Sequence, residues 1–184
     1  MFDPDYPYMN DLFRRLSGDE EAFDALVSFL TSNNYRLISC RDNQIALDYV
    51  INYSDKELPL KASWAERTRG GFSAQYDYKV KEPPYFSLRV PMLKELLARF
   101  GEMDDELKSF VVQANRNCDG CRYCVQTDKT GKRPLICVRV RHDEKSYALC
   151  PLFPGFYYCW ESLSNDLVKY IVAYLTFINK VFTT

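Results

Sequence analysis

Residues 45–53 read IALDYVINY, and this stretch decides the fold class. Ile45, Leu47, Tyr49, Ile51 and Tyr53 stand at every second position, the period of a strand with one buried face. The same alternation recurs in Leu58, Leu60, Ala62 and Trp64, then in Phe72, Ala74, Tyr76, Tyr78 and Val80, and again in Phe86, Leu88 and Val90. Tyr35 to Cys40 reads as a lead-in strand. Arg41-Asp42-Asn43, Gly70-Gly71 and Pro83-Pro84 supply turn chemistry between the runs. The pattern predicts an antiparallel meander of four or five strands with one packed face.

On either side of these runs the period changes to that of a helix. Residues 8–17 predict a short helix. Ser17 is placed as N-cap of a second, over residues 20–31, with Glu20 completing a capping box and Phe23, Leu26, Val27 and Leu30 on one face. Pro91 opens a helix at its first position and Gly101 closes it. Asp104-Asp105-Glu106 begins another, over 104–115, where the helix dipole favours acids. An apolar helix over 161–181 closes the chain and is expected to pack across the sheet. The expected class is α+β: an antiparallel meander packed by helices, then a small C-terminal Cys-rich, zinc-binding hairpin lobe and a closing helix. Residues 1–115 are assigned to the α+β domain, and residues 116–184 to the metal-binding lobe and the final helix on the same core.

With 184 residues, 47% of them hydrophobic, the chain can bury a core without help, so a metal would staple a lobe and need not rescue the whole fold. The formal net charge of −1 gives no global drive toward nucleic acid or membranes. Charge is uneven along the chain, however. Arg116, Arg122, Lys129, Lys132, Arg133, Arg139, Arg141 and Lys145 make residues 116–145 locally basic. The N-terminal MFDPDYPYMN lacks the basic and apolar regions of a signal peptide, and Lys169, Asn179 and Lys180 interrupt the most apolar stretch. The expectation is a cytoplasmic protein, with no membrane partner, whose cysteines are reduced and suit metal better than disulfides.

Six of the seven cysteines lie between positions 118 and 159, a density that points to thiolate chemistry. Residues 118–124 read CDGCRYC, an unbroken C-x-x-C-x-x-C. A tetrahedral zinc site needs four thiolates about 2.3 Å from the metal, and C-x-x-C turns converge two sulfurs locally. Cys118, Cys121 and Cys124 are three expected ligands. Cys150, held extended before Pro151, is the expected fourth, with Cys137 and then Cys159 as replacements. Cys159, between Tyr158 and Trp160, reads as a buried thiol. His142, the only histidine, is expected to be solvated at the tip of a hairpin of residues 135–141 and 145–149.

The triplet Cys118, Cys121 and Cys124 resembles the structural-zinc lobe of medium-chain alcohol dehydrogenases, where the fourth cysteine follows much sooner. The likeness covers those positions alone and implies no dehydrogenase activity. It also resembles the start of a bacterial ferredoxin run, and Cys150-Pro151 supplies a Cys-Pro, but position 128 is Asp where that run nears its fourth cysteine. Zinc is therefore the expected cofactor, with an iron–sulfur cluster as the alternative.

Trp64, Glu66, Arg67 and Arg69 read as a polar hairpin beside a core tryptophan, and residues 150–160 as a rigid aromatic crossover. No nucleophile–base pair or phosphate-cradling glycine loop is evident. The function expected is a non-enzymatic structural-zinc protein that binds a small molecule or a protein. The alternatives are a nucleic-acid-associated protein using the basic lobe and an iron–sulfur redox protein.

Overall fold

The computed structural model describes residues 6–41, 45–52, 69–76, 83–90, 93–115, 137–150 and 158–182. Its elements, in chain order, begin with α1 (Tyr6–Leu16), α2 (Glu20–Ser32), β1 (Arg36–Arg41), β2 (Ile45–Asn52), β3 (Arg69–Tyr76) and β4 (Tyr85–Arg89). They continue with α3 (Leu93–Ala98), a 3-10 turn (Phe100–Glu102), α4 (Asp105–Ala114), β5 (Val138–His142), β6 (Lys145–Leu149), β7 (Tyr158–Trp160) and α5 (Asn165–Phe182). The class is α+β. The elements cluster into two compact units: a sheet unit of α1, α2, β1 to β4, β7 and α5, and a hairpin unit of α3, the 3-10 turn, α4, β5 and β6.

In the sheet unit the strands run in the order β1-β2-β3-β4-β7, each pair antiparallel. The first four form the meander that the alternation predicts. The fifth is a correction, because Tyr158–Trp160 is an edge strand on β4 where a crossover was expected. β2 pairs directly with β3, and the strand predicted at Leu58–Trp64 lies outside the described residues.

Register explains the core. Tyr49 faces Phe72, Phe72 faces Leu88 and Leu88 faces Tyr158, so one row of large side chains crosses four strands on a single face. All four are buried, as are Ala74 and Phe86 in the next row. Phe72 stacks on Phe86 at 6.1 Å between ring centres, and Phe23 of α2 meets Phe86 edge-on at 6.5 Å. Tyr174 of α5 meets Tyr158 edge-on at 5.8 Å and accepts its hydroxyl hydrogen bond at 3.3 Å. Burial, with help from Tyr158, pushes the Tyr174 phenol well above its ordinary range. Each such buried side chain contributes roughly 1.5–3 kcal/mol to this core. The opposite face carries Ser73, Ser87 and Cys159 in register, with Gln75 donating to Ser73 Oγ at 3.0 Å and Tyr85 donating to Gln75 Oε1.

Between α1 and α2 the expected cap is also corrected. Asp19, not Ser17, caps α2, its Oδ1 accepting from the Ala22 N–H at 3.0 Å. Ser17 is drawn into the turn, where its carbonyl accepts from the Leu163 N–H at 2.7 Å. Gly18 lies between them at φ 84°, and a Cβ there would sit 3.1 Å from Ser162 Cβ, so conformation and space both demand glycine.

Among the described residues, the hairpin unit's apolar anchors are Leu93, Leu96 and Leu97 of α3, then Phe100 and Met103, then Leu107, Val111 and Val112 of α4, with Val140 and Leu149 from the strands. Asp104 Oδ1 caps α4 through the Leu107 N–H at 2.7 Å. β5 and β6 pair from Val138↔Leu149 to His142↔Lys145, leaving Asp143 and Glu144 as a two-residue turn. Their φ values of 47° and 61° match a type I′ hairpin turn, whose twist suits the flanking strands.

Candidate metal centre

Cys150 follows β6 directly and is buried, 4% exposed. Pro151, next in sequence, has no N–H to give to a strand ladder. Cys137 precedes β5 directly and is half-buried; it was expected mid-strand, but the strand begins one residue later. Cys159 corrects the expectation of a buried thiol. Tyr158 and Trp160 occupy the inward positions of β7, the alternation turns Cys159 outward, and it is exposed. Cys159 belongs to the sheet unit, whereas Cys137 and Cys150 belong to the hairpin unit. Cys118, Cys121 and Cys124 lie outside the described residues, as do Arg116, Arg122, Lys129, Lys132 and Arg133. Among the described residues no group of three or more His, Cys, Asp and Glu side chains is gathered in metal-binding geometry.

His142 is the other correction. It is 8% exposed, because it continues the inward parity of Val140 and so turns toward α4 instead of solvent. Its Nε2 lies 2.7 Å from Ser109 Oγ and 3.4 Å from Asp143 Oδ2, and its ring meets Phe100 edge-on at 6.4 Å. Ser109, His142 and Asp143 are the residue types of a nucleophilic triad, and sequence reasoning missed their meeting. The geometry does not make a relay. Ser109 Oγ has one hydrogen and lies within reach of the Asp105 carbonyl at 2.9 Å as well as of Nε2, and the imidazole tautomer sets which of the two accepts it. The Asp143 carboxylate approaches that same nitrogen, whereas an orienting acid must hold Nδ1. Asp105, at the start of α4, is held below the usual carboxylate range by the hydrogen bond from Lys108, then by the charges of Lys108 and His142. The cluster ties hairpin to helix.

Arg139 and Arg141 lie on the other side of β5 and are exposed, as is Lys145. Of the tyrosines along the strands, Tyr49 is buried and donates to Asn10 Oδ1 at 3.2 Å, while Tyr76 is half-buried. Trp64, Glu66 and Arg67 lie outside the described residues, and Arg69 opens β3. Among the described residues no helix is long and apolar enough to cross a membrane. Comparison with protein-family models, with curated protein sequences and with solved structures finds no match to this chain.

Proposed function

We propose that the protein carries one structural zinc, held by Cys118, Cys121, Cys124 and Cys150, which fastens the hairpin unit of a non-enzymatic binding protein. The observation that carries this reading is Cys150, a thiol withdrawn from water at a strand end that Pro151 fixes, downstream of a C-x-x-C-x-x-C run. Four thiolates close the coordination shell and leave no position for water or substrate, so the metal would supply folding energy in place of Lewis-acid chemistry. Zinc also has no redox step to drive. Thiolate ligation calls for a reducing compartment, which the cytoplasm provides. The half-buried polar side chains Ser73, Gln75 and Tyr85 on the other sheet face are the surface offered to a small molecule or protein partner.

Elemental analysis of anaerobically purified protein tests the reading. One zinc per chain without iron is the expected result. Iron with matching acid-labile sulfide would replace it with an iron–sulfur redox protein, and no metal would overturn both.

A second reading rests on Arg139 and Arg141, exposed at alternate positions of β5. Such a pair suits phosphate contacts. Single-stranded and duplex nucleic acid should then bind with affinity falling steeply in salt, and R139E/R141E should abolish it. Unchanged binding by that variant would remove the reading.

A further inference from the structure

β4 is paired on both sides, with β3 and with β7, and Ser87 lies at its middle. Phe86 and Leu88, its neighbours in sequence, are buried in the core, so alternation turns Ser87 to the other face. Register then sets Ser73 of β3 and Cys159 of β7 on its two flanks. Side chains directly opposite each other stand about 4.5–5.5 Å apart at Cβ, so a row of three small polar side chains crosses three strands. Gln75 and Tyr85 face each other one rung along, on the same side.

The hydrogen bonds on this face run one way. Tyr85 donates to Gln75 Oε1, and Gln75 Nε2 donates to Ser73 Oγ at 3.0 Å. Ser73 therefore accepts at its oxygen and keeps its own hydrogen, which the chain behind it polarises. Ser87 is only 7% exposed, yet its hydroxyl has no hydrogen-bond partner among the described residues. Buried hydroxyls are bonded as a rule, and each exception calls for an explanation. Here two unused hydroxyl hydrogens face each other across one rung, and the second hydrogen of Gln75 Nε2 lies on the next.

Such a cradle of donors matches a group that only accepts. A carboxylate has two oxygens with about four acceptor sites, and its hydrogen bonds are stronger than those of a neutral carbonyl. The ring of half-buried Tyr85 supplies an apolar wall one rung away. From Ser73 to Cys159 the row spans two strand spacings, roughly 10 Å, which is room for one ring and its acid group. We infer that the Ser73–Ser87 rung binds the carboxylate of a small aromatic acid, with Cys159 at the rim of the site. This rests on the reading of the polar sheet face as the binding surface, needs no zinc, and names the class of ligand that face takes.

The test titrates the isotope-labelled full chain with millimolar benzoate, and with benzamide and benzyl alcohol as neutral counterparts, and follows backbone amide shifts by NMR. Benzoate should shift the amides of Ser73, Gln75, Ser87 and Cys159, and should bind at least about tenfold more tightly than either neutral probe, the size expected for hydrogen bonds to a charged group. Ser73→Ala with Ser87→Ala should abolish that preference, while amide shifts elsewhere in the spectrum show that the variant is folded. Wild-type benzoate affinity in the folded double variant would overturn the inference. So would equal binding of benzamide at the same amides, which would leave the binding surface itself standing. Shifts from none of the three probes would overturn both.

Alkylation of the wild-type chain gives a readout that needs no variant. Saturating benzoate should slow the reaction of Cys159 with N-ethylmaleimide, mapped by mass spectrometry, and leave Cys137 of the hairpin unit at its own rate. A Cys159 rate that benzoate does not change would overturn the placement of the acid beside it.

Discussion

The sheet unit crosses its strands with a row of large side chains, with Phe23 of α2 against Phe86 and Tyr174 of α5 against Tyr158, while the hairpin unit brings two short strands to two short helices. In the first, a buried face recurs on strand after strand. In the second, Val140 and Leu149 are the fully buried apolar side chains that β5 and β6 contribute. Two strands alone are marginal in water, and three or more or a covering helix are needed to steady them. Among the described residues, the sheet unit's apolar area comes from its strands and the helices on them, while the hairpin unit's comes mostly from α3, the 3-10 turn and α4, with a buried imidazole and a tight turn fixing the strands.

The largest effect should come from the proposed metal ligands. Cys121→Ser should release zinc and unfold the hairpin unit, since zinc binding in small domains is linked to roughly 10–16 kcal/mol of apparent folding energy. In a Trp64→Phe background, fluorescence of Trp160 should at the same time keep its own transition. One metal per chain and an unchanged thermal midpoint would show that Cys121 is no ligand. Next comes Phe86→Ala, which empties the meeting point of Phe23 and Phe72 and should cost the sheet unit about 3–5 kcal/mol in denaturant unfolding. A loss below 1 kcal/mol would mean that this row is not the core.

A smaller effect is expected from Ser109→Ala. It takes the hydroxyl partner from buried His142 Nε2 and should cost the hairpin unit about 1–2 kcal/mol, with no loss of bound zinc. If zinc left with the hydroxyl, the histidine cluster would belong to the metal site. Smallest is Glu144→Gly, which should stabilise the hairpin by up to about 1 kcal/mol, because Glu144 holds φ 61° where glycine rests without strain. A lower thermal midpoint would contradict the turn.

Most of the sheet unit was legible because period-two alternation needs nothing but the sequence of strands that each bury one face. β7 was not. It is three residues long and follows CPLFPGF, whose prolines and glycine read as loop. The cap of α2 was misassigned to Ser17 because Ser-x-x-Glu satisfies the capping box on paper, while the close approach of Ser162 to Gly18 is a tertiary fact. His142 is the instructive miss. Its parity with Val138 and Val140 was available, but a tip drawn over three residues hid it. Centring the turn on Asp143-Glu144 pairs His142 with Lys145 and turns the histidine inward. The pairing of Ser109 with His142, 33 residues apart, left no trace in any local pattern.

Hydrogen exchange, followed by mass spectrometry on the zinc-loaded chain before and after chelation, tests the central claim most directly. The account predicts that amides of β5, β6 and α4 lose protection when zinc is removed, while those of β2, β3 and β4 stay protected. Equal protection in both units with and without metal would contradict it.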